Sequence, residues 1–251
     1  MAEDLDGTIE SMLAPAQTRM QQLGASLNGA GPEAAAAYKS LSSLASLQVD
    51  LGRQAAESIG AFRADEAVPS GHRLTEGNER LATVKTMLHK YREGANQAHG
   101  QLEAALTRAL LPGPSSDPAQ RLLHRDSIRT RFGHLDGEHL VAAITRRLGE
   151  DATTDGELLS SFGADLLASR DVNPDQAQAI RVQATEAYLK RGDGSRQQAA
   201  ARKALTTMRE LNTVGHLAAF AQAAQLHLSK LDTVSRPSTP ESPLTGRDLR
   251  V

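Results

Sequence analysis

The sequence contains no cysteine and no tryptophan, and aromatic residues make up only 3% of its 251 positions. Without cysteine the chain has no disulfide, no thiolate metal site and no thiol nucleophile. The redox compartment stays undetermined, because a chain without cysteine tolerates any of them. The apolar residues are mainly Ala and Leu, which suit closely packed helices better than the core of a sheet.

An excess of charge of either sign is also missing. The chain carries 28 Lys and Arg against 30 Asp and Glu, which gives a formal net charge of −2. This balance argues against a bulk nucleic-acid binder and against a polybasic membrane protein.

Long hydrophobic runs are absent as well. No uninterrupted apolar stretch approaches the ~18 residues of a membrane-spanning helix. The first residues, Met1 to Asp6, are acidic and lack the apolar core of a Sec signal peptide. We therefore expect a cytoplasmic location, while export without a cleaved signal stays open. Ala-rich helices and Arg in preference to Lys suggest a bacterial or viral source.

The strongest positive signal is a ladder of apolar and small residues in the middle of the chain, with steps that alternate three and four. This is the heptad rhythm of a helix whose seam, the line of side chains along one face, contacts another helix. The ladder is Leu81, Val84, Leu88, Tyr91, Ala95, Ala98, Leu102, Ala105 and Ala109. We call the large residues among them, Leu81, Val84, Leu88, Tyr91 and Leu102, the third-helix seam.

Two further seams precede it. One runs from Leu13 to Leu27, and the next follows Pro32 but is interrupted at Gln48, where we expect weaker pairing. Short loops between the three segments favour an antiparallel bundle. The fold class is therefore all-α, with a coiled-coil-like three-helix bundle followed by a bundle of shorter helices. A self-associating coiled coil, and hence a homo-oligomer, is the alternative.

Prolines and glycines divide the chain. We predict a long-helix bundle over 1–111, a Pro/Gly linker over 112–118, a short-helix bundle over 119–234 and a disordered Pro/Ser tail over 235–251. A single elongated body bent at the linker is the alternative. In the second half, helix-capping signals predict successive helix starts at Asp136, Asp155, Asn173 and Asp193.

An arginine stripe follows the linker. Arg121, Arg125 and Arg129 are spaced by four residues, and Arg131 lies close to them. Guanidinium groups on one helix face could bind a phosphate-bearing or acidic partner, including a membrane surface. The alternative is the solvated face of an amphipathic helix, with Leu122 and Ile128 on the opposite side.

Signals for metals and catalysis are weak. His134, Asp136, Glu138 and His139 form the densest set of possible ligands, but the two histidines do not share a helix face. The segment that begins at Asp151 resembles a calcium loop, yet Phe162 replaces the required Glu. No nucleotide or protease motif occurs. We therefore expect no metal, no cofactor and no catalytic residue.

Arg191-Gly192-Asp193 matches the tripeptide that integrins recognise, and a helix end followed by a cap explains the same residues. The sequence as a whole predicts a non-enzymatic interaction protein of the scaffold, adaptor, chaperone or secreted-effector type. It would bind a protein partner through the third-helix seam. The alternative is a binder of an anionic surface through the arginine stripe.

Overall fold

The computed structural model describes residues 2–234, with the side chains of residues 5–231. The chain is all-α within that range, as the sequence predicts. The helices are α1 (Ala2–Ser26), α2 (Pro32–Ala64), α3 (Ser70–Leu110), α4 (Pro118–Phe132), α5 (Gly137–Arg147), α6 (Ala152–Leu158), α7 (Ser161–Ala168), α8 (Pro174–Lys190), α9 (Arg196–Glu210) and α10 (Thr213–Val234). The tail prediction over 235–251 falls outside the described residues.

The long helices α2 and α3 form an antiparallel hairpin around the turn before Ser70. At 41 residues, α3 is about 60 Å long. The last helix, α10, packs beside α2 and runs parallel to it, since Gly52 lies against Ala224 and Gly60 against Leu231. A Cβ at position 52 would stand 2.7 Å from the carbonyl oxygen of Ala224, so glycine is what permits this close approach.

Helix α1 does not pack where the sequence predicts. Its seam, from Leu13 to Leu23, is buried as the heptad pattern predicts, but it packs mainly against α10 and α9. Its contact with α2 is confined to one end, where the hydroxyl of Tyr38 donates a hydrogen bond to the carbonyl oxygen of Met20 at 2.6 Å. A bundle built from the first three helices alone is therefore wrong. Buried residues of α9 and α10, such as Leu205 and Phe220, share the large core with the seam of α1.

The buried apolar residues form a large core, a small core and a third cluster between α2, α3 and α10. The large core takes residues from α1, α2, α3, α9 and α10, and includes Tyr188 of α8. The small core contains buried residues from each of the five helices α4, α5, α6, α7 and α8, such as Phe132, Ile144 and Phe162. The non-helical residues 111–117 lie where the linker is predicted. The division into two domains at this linker stays a prediction, and α9 and α10 share the core of the long helices.

The predicted helix starts have mixed outcomes. Asp136 and Asn173 precede α5 and α8 as predicted. Asp155 and Asp193 do not begin helices. Asp155 is buried inside α6, whose cap is Asp151. Ser195 caps α9 through a reciprocal hydrogen-bond pair with Gln198, which satisfies two backbone donors at once and displaces Asp193 from the role.

Candidate binding groove

An open groove lies between the N-terminal half of α3 and the middle of α10, with α2 at its floor. Both outer helices pack closely on α2, whereas α10 contacts α3 over only a short stretch. The space between them has a volume of about 450 Å³. This value falls within the range of ~300–1,000 Å³ that small-molecule pockets in proteins occupy.

Gln48 lies at the floor of the groove, at the interruption that the sequence shows in the seam of α2. Its side chain is buried, with 2% of the residue exposed. The amide nitrogen Nε2 donates a long hydrogen bond of 3.3 Å to the carbonyl oxygen of Leu44 in its own helix. The amide oxygen accepts no hydrogen bond from any residue that the structure describes. The floor therefore offers a polar group that an incoming molecule could satisfy.

The walls of the groove are mainly apolar. Leu81 and Leu88 of α3 and Ala221 and Leu228 of α10 line it, and Gln225 and Ser229 of α10 add polar side chains. Leu88 and Leu228 also belong to a small buried cluster that holds α2, α3 and α10 together below the groove. These walls are therefore rigid parts of the packed molecule and provide a preformed apolar surface.

Three basic residues of α3 form the rim. Lys85, His89 and Arg92 are spaced by four and three residues, which places them on one face of the helix. The acidic residue nearest to them in sequence is Glu93, whose carboxylate pairs with His89 at 3.1 Å. The residues that line the groove include no Asp and no Glu. An apolar molecule that carries negative charge matches this lining best.

The third-helix seam is partly closed by the chain itself. Leu88 is 8% exposed and Leu102 is fully buried, so an exposed seam at these two positions is wrong. Leu81, Val84 and Tyr91 are half-buried. The heptad pattern identified a true packing face, but the helices α2, α9 and α10 of the same chain occupy most of it. Of the seam, Leu81 and Leu88 border the groove.

The arginine stripe does not form one outward face. Nε of Arg125 donates a hydrogen bond at 2.9 Å to the carboxylate of Glu157, whose side chain is fully buried. The guanidinium groups of Arg125 and Arg129 lie 5.0 and 5.3 Å from the ring centroid of Phe162. Arg121 is half-buried, and only Arg129 and Arg131 are exposed. Binding of an anionic partner by these four arginines stays a prediction, and Arg125 is the one whose side chain is engaged by a buried carboxylate.

The other candidate residues stay apart or serve the fold. Among the side chains of residues 5–231, no three His, Asp or Glu residues come close enough to hold a metal ion. Arg191 and Asp193 pair with each other through two hydrogen bonds of 2.7 and 2.6 Å, so the tripeptide does not present both charges outward. No helix in the described part of the chain is long and apolar enough to cross a membrane.

Sequence reasoning missed most of the groove. The interruption at Gln48 was its one visible sign, and the basic spacing of Lys85, His89 and Arg92 beside the seam was a second sign that could have been used. Nothing in the sequence places α10 opposite these residues. The chain matches no protein-family model, and no curated protein or solved structure shows significant similarity to it.

Proposed function

We propose that the protein is a non-enzymatic helical interaction protein that binds an acidic amphipathic segment of a partner protein in this groove. The observation that carries the proposal is the combination of mainly apolar walls with a rim that is basic only. Scaffolds, adaptors, chaperones and secreted effectors all use binding of this kind.

A helical partner segment fits the shape of the site. In the helix-in-groove mode, apolar side chains at spacings of three and four enter a groove between two helices. Here Leu81 and Leu88 on one side and Leu228 on the other would contact those anchors. Acidic residues on the edge of the segment would meet Lys85 and Arg92, whose charges would also speed the encounter.

Gln48 would add selectivity to this contact. Its amide oxygen accepts no hydrogen bond within the described part of the chain, and would gain one if the partner places a donor at the floor of the groove. A purely apolar anchor would leave the oxygen without a partner and bind less tightly. We therefore expect one Ser, Thr, Asn or Gln within the apolar face of the partner segment.

A peptide selection tests the proposal. Short random peptides displayed on phage are selected on the wild-type protein, and binding is then measured by fluorescence anisotropy on variants. Ala221→Trp fills the groove, and Lys85→Glu with Arg92→Glu reverses the rim. We expect peptides with apolar residues at three- and four-residue spacing and with Asp or Glu, and we expect both variants to lose binding at least tenfold, roughly 1.4 kcal/mol.

Matched controls separate the groove from the rest of the surface. Ala218→Trp adds the same side chain to an exposed position of α10, and Lys90→Glu reverses an exposed charge of α3 outside the groove lining. Both controls should bind like the wild type. Selected peptides that bind Ala221→Trp as tightly as the wild type would contradict the proposal, as would a selection that enriches no acidic amphipathic peptide.

A further inference from the structure

Helix α4 presents two leucines to solvent beside two exposed arginines. Leu122 and Leu123 are 64% and 70% exposed, although Ile128 and Phe132 of the same helix are buried. Leu123 is the most exposed of the large apolar residues in the part of the chain whose side chains are described. We refer to Leu122 and Leu123 as the α4 leucine face.

The packing of the other side of α4 explains why the leucines point outward. Ile128 and Phe132 lie in the small core, and Nε of Arg125 is held by the buried carboxylate of Glu157. Since this side of the helix packs against the rest of the molecule, the side that carries Leu122 and Leu123 faces water.

Basic side chains flank the leucine face. Arg129 lies seven residues after Leu122 on the same side of the helix, and Arg131 lies beyond Leu123. Both are exposed. Asp126, which follows the leucines in the same helix, forms a loose ion pair with Arg129 at 3.6 Å. Arg131 forms no ion pair with any residue whose side chain is described.

We propose that α4 docks on the surface of an anionic lipid bilayer, with Leu122 and Leu123 inserted among the acyl chains and Arg129 and Arg131 at the phosphates. Two leucines that protrude from the outer side of a helix suit a deformable interface, and their arginine neighbours have long stems that reach back to the headgroups. Anionic lipids add attraction for the basic residues. This inference is independent of the groove.

Vesicle flotation tests it. Purified full-length protein is mixed with vesicles of phosphatidylcholine alone, or of phosphatidylcholine with an equal share of phosphatidylglycerol, at low and high salt. We expect the wild type to float with the anionic vesicles, and less so at high salt. Leu122→Ser with Leu123→Ser should lower the partition coefficient by at least about tenfold. Both positions are exposed, and circular dichroism checks that the helices remain.

Three comparisons make the result specific. Leu74→Ser with Val182→Ser removes two other exposed apolar side chains and should float like the wild type. Arg129→Glu with Arg131→Glu should weaken flotation with the anionic vesicles only. Ala221→Trp, which fills the groove, should leave flotation unchanged. The proposal is overturned if the wild type floats with neither vesicle, or if the leucine variant floats as well as the wild type.

Discussion

The hydroxyl of Tyr188 donates a hydrogen bond at 2.8 Å to the carboxylate of Asp155, 33 positions earlier in the sequence. The same carboxylate oxygen accepts a hydrogen bond from the backbone N–H of Gly149 at 2.8 Å. Tyr188 belongs to the large core, and Asp155 lies in α6 beside the small core. One carboxylate therefore joins the two parts of the molecule, and burial raises its pKa above the ordinary 3.8.

The first prediction concerns Asp155 and pH. A raised pKa in the folded state means that folding favours the protonated carboxyl, so its contribution to stability is complete below pH 3.8 and is lost as pH rises through the folded-state pKa. The free energy of unfolding of the wild type, minus that of Asp155→Asn, should therefore fall as pH increases from 3.8. Urea unfolding of both proteins at a series of pH values measures this difference. The control is Asp165→Asn, at an exposed position. A difference that rises with pH would refute a raised pKa of Asp155.

The second prediction concerns the buried ion pair of α4 and α6. Arg125→Met leaves the fully buried carboxylate of Glu157 without its cation and should cost about 3 kcal/mol or more. Replacing both partners, with Glu157→Leu added, should recover most of the loss. Arg129→Met, which removes the exposed ion pair with Asp126 and the cation–π contact with Phe162, should cost about 1 kcal/mol or less. Chemical denaturation measures the free energy of unfolding of each variant. A double variant as unstable as Arg125→Met would contradict a stabilising ion pair between Arg125 and Glu157.

The third prediction compares two glycines in long helices. Gly52→Ala would force α2 away from the backbone of Ala224 and should destabilise the protein by about 1–3 kcal/mol. At Gly100 in α3 a Cβ meets nothing within 4 Å, so Gly100→Ala should stabilise by about 0.5–1 kcal/mol through helix propensity alone. Thermal unfolding should show shifts of opposite sign, and shifts of equal sign would disprove the close helix contact.

The fourth prediction concerns the seam of α3. Leu102→Asp places a charge in the large core and should destabilise by about 4 kcal/mol or more, a large share of the stability of an ordinary domain. We expect loss of helical circular dichroism at 37 °C. Leu74→Asp, at an exposed position of the same helix, should retain the wild-type spectrum. A folded Leu102→Asp protein would show that the seam packs more loosely than the structure has it.

The sequence predicted where the helices lie, but it did not predict which helices pack against each other. Heptad spacing, prolines and glycines predicted the helix that follows Pro32, the helix that carries the third-helix seam and the linker after it, because these signals act locally along the chain. The seam of α1 was also correct as a buried face. That it packs on α10 depends on a match between surfaces distant in sequence, which no local pattern contains.

For the same reason, the sequence did not predict the surroundings of the arginine stripe. Spacing placed Arg121, Arg125 and Arg129 on one side of a helix, and solvation of charge then argued that this side faces water. The argument fails for Arg125, because Glu157 compensates it from 32 positions away and is itself buried. Of the two apolar residues expected on the opposite side, Ile128 is buried, whereas Leu122 is exposed.

The pairing of α1 with α10 also bears on how the chain is made. Asp6 and Lys230 form an ion pair across 224 positions, so the first described helix packs on the last one. During translation, α1 emerges from the ribosome long before α10 does, since eight other helices lie between them. During that interval the apolar stripe from Leu13 to Leu23 has no cover, while α2 and α3 can already associate with each other. A premature stop before α10 would release a product with this stripe exposed, a ready substrate for chaperones and proteases.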